Sequence, residues 1–146
     1  MQTSAFLKTL DNERIVAAIR AAEEKSLGEI RVHVTNGKPP DVEAAARAQF
    51  EKLEMAKTEL RNGVLIYVAP QSQSFAVIGD KGIHECCGAG FWKGIATAME
   101  ADFAAGHYTE GIVKGVTEAG RALAQNFPRP ESHTDVNELP DDVTRD

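Results

Sequence analysis

The sequence predicts an α/β fold, a mixed β-sheet sandwiched between α-helices in an α/β/α arrangement. Three observations lead there. Val64 to Ala69 is a continuous apolar run, which suits a strand buried on both faces. Phe75 to Ile78 is a second such run, and the short polar stretch Pro70 to Ser74 between them supplies a turn, so the pair reads as a β-hairpin. An alternating segment, Glu29 to Val34, lies upstream, separated from the hairpin by residues of helical period.

Taken in order, Asn12 is placed to cap a helix running to about Lys25, with Ile15, Val16, Ile19 and Ala22 on one face. Gly28 ends it. In Glu29 to Val34 the residues Ile30, Val32 and Val34 point one way and Arg31 and His33 the other, so His33 is expected on a wetter face rather than as a ligand. Lys38-Pro39-Pro40 forces a loop, and Asp41 caps a helix carrying Val42, Ala45, Ala46, Phe50 and Leu53 on its apolar face. Strand, helix and strand then demand a right-handed crossover and a parallel pair, to which the Phe75 strand adds antiparallel with the Val64 strand central.

After the hairpin the chain reads as helical, from Phe91 to Ala105 and again from about Thr109 to Asn126, with a break at Gly106-His107. Phe91 and Trp92 are expected as core anchors at the first helix start. Gly111, Gly115 and Ala119 form a row of small residues that lets the last helix pack closely. Residues 1–127 thus form a single domain. From Pro128 onward, residues 128–146 are rich in Pro and Asp with almost no large apolar groups, and are expected to be a flexible acidic tail.

Composition narrows the partners. With 146 residues, 42% hydrophobic and 26% charged, the chain is an ordinary globular sequence able to bury a core without metal or disulfide. A net charge of -6 argues against nucleic acid or an anionic membrane surface and in favour of cations. No apolar run is long enough to span a bilayer, and the first residues lack a signal-peptide pattern, so a cytoplasmic location is expected, with Cys86 and Cys87 as reduced thiols.

The order Gly28-Glu29-Ile30-Arg31-Val32, Arg61-Asn62-Gly63-Val64-Leu65-Ile66-Tyr67-Val68-Ala69-Pro70, Ile78-Gly79-Asp80-Lys81-Gly82-Ile83 and Tyr108-Thr109-Glu110-Gly111-Ile112 resembles the TPM-domain family. That family takes in thylakoid-lumen proteins linked to photosystem II repair and bacterial envelope proteins. The resemblance spans Asn12 to Phe127 and implies a Rossmann-like α/β sandwich. Some relatives are described as acid phosphatases or divalent-cation binders, so it implies a cation-binding or phosphatase-like role.

Gly79-Asp80-Lys81-Gly82 is the main site candidate, because two glycines around a carboxylate allow positive φ or a close approach of backbone. Antiparallel pairing sets Asp80 level with Asn62 to Val64, beside Arg61. Asp80 then either pairs with Arg61 or Lys81 or caps the turn, or it joins Glu85 and Asn62 in presenting oxygen ligands to Ca²⁺ or Mg²⁺. A zinc site lacks partners for His84, Cys86 and Cys87. Cys87 followed at Lys93 by a lysine misses the arginine fork of a cysteine-phosphatase loop, and Gly88-Ala89-Gly90 fits no phosphate-loop pattern. The sequence leaves open whether this is an enzyme. It favours a divalent-cation-binding or protein-interaction module without strong catalysis, with a cation-dependent acid phosphatase acting on phosphomonoesters as the alternative.

Overall fold

The computed structural model describes residues 1–129 and 143–146. The elements run α1 (Thr3–Thr9), α2 (Asn12–Glu24), β1 (Glu29–Val34), α3 (Val42–Lys52), β2 (Gly63–Ala69), β3 (Ser74–Gly79), α4 (Lys81–Ala104), α5 (Tyr108–Asn126) and β4 (Val143–Arg145). Among the described residues they build one mixed sheet in the order β3-β2-β1-β4. β1 and β2 run parallel with Glu29 opposite Gly63 and Val34 opposite Val68, while β3 returns antiparallel with Val64 opposite Gly79. β2 is therefore an inner strand buried along its whole length, as its unbroken apolar run requires.

The two sheet faces carry separate cores. Ile30, Val32, Val34, Val64, Ile66 and Val68 pack against Ile15, Ile19, Met99, Ile112, Val116 and Leu123 of α2, α4 and α5. On the opposite face Leu65, Tyr67 and Ile78 meet Ala46 and Phe50 of α3 and Met55 of the turn that follows it. The small-residue row on α5 serves close packing: a Cβ at Gly115 would overlap Met99, one at Gly111 would overlap Phe103, and one at Gly120 would overlap Ala22.

Several local expectations need correction. Asp11 rather than Asn12 caps α2, its carboxylate accepting the Arg14 N–H at 3.2 Å, because Asn12 already lies inside the helix. The extra helix α1 buries Phe6 but is only seven residues long and has no side-chain cap to announce it. α4 is two helices joined at Gly88, whose non-helical φ of 74 glycine alone takes without strain: the later one holds the expected Phe91 to Ala104, and a short one opens ahead of it at Lys81. Phe91 and Trp92 lie half-buried at the margin of the core. His33, expected on a wetter face, is only 2% exposed.

Of residues 128–146, expected as a flexible acidic tail, 130–142 lie outside the described residues. Val143–Arg145 form β4, which extends the sheet beside Val32 to Val34 because Thr144 and Asp146 find polar partners on β1. Among the described residues no helix is long and apolar enough to cross a membrane.

Candidate functional site

The hairpin brings Asp80 to Arg61. Asp80 N–H donates to the Gly63 carbonyl at 2.8 Å, continuing the β2–β3 ladder by one rung, and Gly82 N–H donates to the Arg61 carbonyl at 2.7 Å. Both bracketing glycines are explained by close approach, not by positive φ: a Cβ on Gly82 would overlap the carbonyl oxygens of Leu60 and Arg61, and one on Gly79 would overlap the Trp92 ring. Arg61 itself takes the left-handed region at φ 52, a conformation that costs free energy for a residue with a side chain.

That geometry aims the guanidinium at Asp80. Arg61 Nε donates to Oδ2 at 2.8 Å and Nη2 to Oδ1 at 2.9 Å, a two-pronged pair, and Lys81 N–H donates to Oδ1 at 2.7 Å. Asp80 is buried with its side chain 5% exposed, whereas Arg61 is 47% exposed. The hydrogen bond and then the charge of Asp80 hold the Arg61 guanidinium above its ordinary pKa, so it stays charged. Asp80 is at once the N-cap of α4, the anchor of Arg61 and the end of the sheet.

A groove of about 640 Å³ opens at this corner. Asp80, Arg61, Lys81 and Glu85 line it together with Arg47 and Trp92. Two of the three residues expected as cation ligands, Asp80 and Glu85, thus share a surface, with Glu85 exposed on the first turns of α4. Asn62 takes a different direction. It is 1% exposed and donates its side-chain amide to the Leu27 carbonyl at 3.1 Å, bracing the start of β1. Among the described residues no group of three or more His, Cys, Asp or Glu side chains converges to hold a metal ion.

Trp92 adds a feature the sequence did not signal. Its indole Nε1 is buried and, among the described residues, has no hydrogen-bond acceptor, beside a groove that already carries cationic donors. The thiol of Cys87 is pushed up by burial and then by neighbouring Cys86, which suppresses thiolate.

A second polar cluster was missed by the sequence reading. His33 Nδ1 lies 2.7 Å from Thr144 Oγ1 and Nε2 lies 2.8 Å from Asp146 Oδ1, while Asp146 Oδ2 accepts from Thr35 Oγ1 at 2.6 Å and Asn36 N–H at 2.8 Å. The ring stacks on Tyr67 with centroids 5.6 Å apart. Residues 111 and 113 positions beyond His33 complete the cluster, so no local motif could have revealed it.

The mixed sheet, the helix-capping Asp80 and its braced arginine define a compact α/β domain of one recognisable class. The TPM domain family matches residues 1–122, and the chain belongs to that family. Among solved structures it is similar to the NMR structure of the BA42 protein from the psychrophilic bacterium Bizionia argentinensis, at 40% identity over 94% of this chain and 95% of that one, TM-score 0.84. It also shares its fold with the N-terminal domain of a P. gingivalis protein, at 19% identity over 80% and 76% of the two chains, TM-score 0.64. No curated protein matches the sequence.

Proposed function

We propose that this TPM domain is a binding module without strong catalysis, and that the Asp80–Arg61 groove recognises a protein partner rich in hydrogen-bond acceptors. The observation that carries this reading is the Trp92 indole N–H, a buried donor with no acceptor among the described residues, at the edge of a groove that also presents Lys81 and Arg47. An unmade hydrogen bond of this kind costs about 1–3 kcal/mol, and an acceptor from a partner would recover it once the indole turns its N–H toward the groove. Trp and Arg are also the side chains that most often dominate protein interfaces. Catalysis finds less support: Asp80 is committed to Arg61 and Lys81, and the Cys87 thiol is held protonated.

The charge-reversed Lys81→Glu and Arg47→Glu chains provide the test, by affinity capture from the source cell against wild type. A partner retained by wild type and lost from both variants supports the reading. Equal retention by all three chains contradicts it.

One observation favours a second reading, in which a divalent cation such as Ca²⁺ or Mg²⁺ is the ligand. Glu43 and Glu51 line the same groove as Asp80 and Glu85 and add oxygen donors of the hard type such ions take. A cation at Asp80 would have to compete with the Arg61 guanidinium for its oxygens. Thermal unfolding of wild type and Asp80→Ala with each cation separates the two readings, since a ligand of the folded state raises the melting temperature. A rise of several degrees in wild type that disappears in Asp80→Ala supports the cation. Equal behaviour of the two chains rejects it. The same bound cation is what the phosphomonoesterase alternative would need to polarise a phosphoryl oxygen.

A further inference from the structure

The outer edge of β1 lies on the opposite side of the sheet from the Asp80–Arg61 corner, and it is built to grip a strand by more than backbone pairing. β4 occupies it through three paired residues, Val143 to Arg145 opposite Val32 to Val34. Around that short ladder stands a receptor for two particular side chains. His33, 2% exposed, offers both ring nitrogens. Nε2 carries a proton and donates to the ionised Asp146 carboxylate, while Nδ1 meets the Thr144 hydroxyl, which also donates to the Val32 carbonyl at 3.3 Å. Thr35 Oγ1 and Asn36 N–H complete the carboxylate cradle at 2.6 and 2.8 Å. A hydroxyl and a carboxylate two positions apart on an extended chain are what this edge reads.

The cis occupant fills the edge incompletely. Beside β4 lies a cavity of about 780 Å³ lined by Thr3, Leu7, Lys8 and Val34, into which Val143 and Arg145 also face. Val143 reaches the main core only as a half-buried neighbour. The tether is also generous. Arg129 is held at Lys25 and Val143 at Val32, seven positions apart along the chain and so at most about 25 Å from one another. Residues 130–142 can span about 45 Å when extended, so β4 can leave β1 without pulling on α5.

We propose that the β1 edge is a docking site for an extended peptide laid parallel to it, carrying in order an apolar residue, Thr, any residue and Asp. β4 is this site's occupant in cis. A partner with the same Thr-x-Asp spacing and a larger apolar residue in the place of Val143 displaces it by filling the cavity. Recognition is by strand addition, with backbone hydrogen bonds giving affinity and alternate side chains giving selectivity. The inference stands independently of the Asp80–Arg61 reading.

The test uses the full chain and a fluorescein-labelled peptide of sequence Asp-Asp-Val-Thr-Arg-Asp, corresponding to residues 141–146, read by fluorescence anisotropy. Wild type, whose site is filled in cis, is compared with Asp146→Ala, whose own segment has lost the carboxylate anchor. The expected result is binding at least tenfold tighter to Asp146→Ala than to wild type, and at least a tenfold loss when the peptide itself carries Asp146→Ala. Failure of the peptide to bind the Asp146→Ala chain overturns the proposal, as does equal affinity for the two chains or indifference to the aspartate of the peptide. An Asp146→Ala chain that no longer unfolds cooperatively also overturns it, because β4 would then be a foundation of the sheet and not a displaceable occupant.

Discussion

Arg61 and Asp80, 19 positions apart in sequence, face each other through two near-parallel hydrogen bonds of 2.8 and 2.9 Å, the arginine half in solvent and the aspartate buried. The pair ties the start of β2 to the N-terminus of α4, so it should be felt as stability before it is felt as function. Asp80→Ala removes a helix cap worth about 1 kcal/mol and strands the left-handed Arg61 without its partner. The expected loss in urea unfolding is about 2 kcal/mol, kept modest because solvent screens the exposed guanidinium. A double-mutant cycle with Arg61→Ala should give a coupling distinguishable from zero. Strict additivity would show that the two groups merely sit together.

Gly79 and Gly82 flank the same carboxylate yet should respond differently to an added methyl group. At Gly82 the obstacle is backbone, the carbonyl oxygens of Leu60 and Arg61, and relief requires the corner to open. At Gly79 it is the ring of Trp92, a side chain that can turn. Gly82→Ala should therefore cost about 2–3 kcal/mol by denaturant unfolding and Gly79→Ala distinctly less. The reverse ranking would mean that the approach of Gly82 to the Leu60–Arg61 backbone does not hold the corner.

This corner was legible in the sequence because the turn position fixes strand register: with the hairpin turning near Ser72, Asp80 had to fall beside Arg61. The buried β2 and the Asp41-capped α3 were legible for the same local reasons, an unbroken apolar run and a capping residue ahead of helical spacing. The burial of His33 was not. Alternation in β1 correctly separated two faces, but whether the second face is wet depends on Tyr67 and on Thr144 and Asp146, contributed from far along the chain. The short helix that opens at Lys81 was hidden because it is only about two turns long and ends at Gly88, a true break in helical geometry that the glycines did announce. β4 was hidden by its surroundings, since three residues in an acidic, proline-containing stretch show no period.

The clasp on β4 should loosen in acid. Burial pushes the Asp146 carboxyl up, but hydrogen bonds from Thr35, Asn36 and His33, with the charge of His33, outweigh it and hold the pKa below the ordinary aspartate value. A depressed pKa in the folded state means that the stabilising contribution is complete above the unfolded value of about 3.9 and is lost as pH falls through the lower folded value. Amide hydrogen exchange of Val143 to Arg145 should show protection that is steady between pH 7 and pH 5, once corrected for intrinsic rates, and collapses at the acid end before the inner strand β2 does. Simultaneous loss in β2 and β4 would show that Asp146 does not hold the edge strand separately.

Binding without strong turnover is tested most directly by hydrolysis of a chromogenic phosphomonoester by the full chain with Mg²⁺ or Ca²⁺, comparing wild type, Asp80→Ala and Cys87→Ser. With Asp80 committed to Arg61 and the Cys87 thiol protonated, the expected result is a low rate that is the same within error for all three chains. A robust cation-dependent rate in wild type that Asp80→Ala abolishes would contradict the binding-module reading and establish the corner as a catalytic centre.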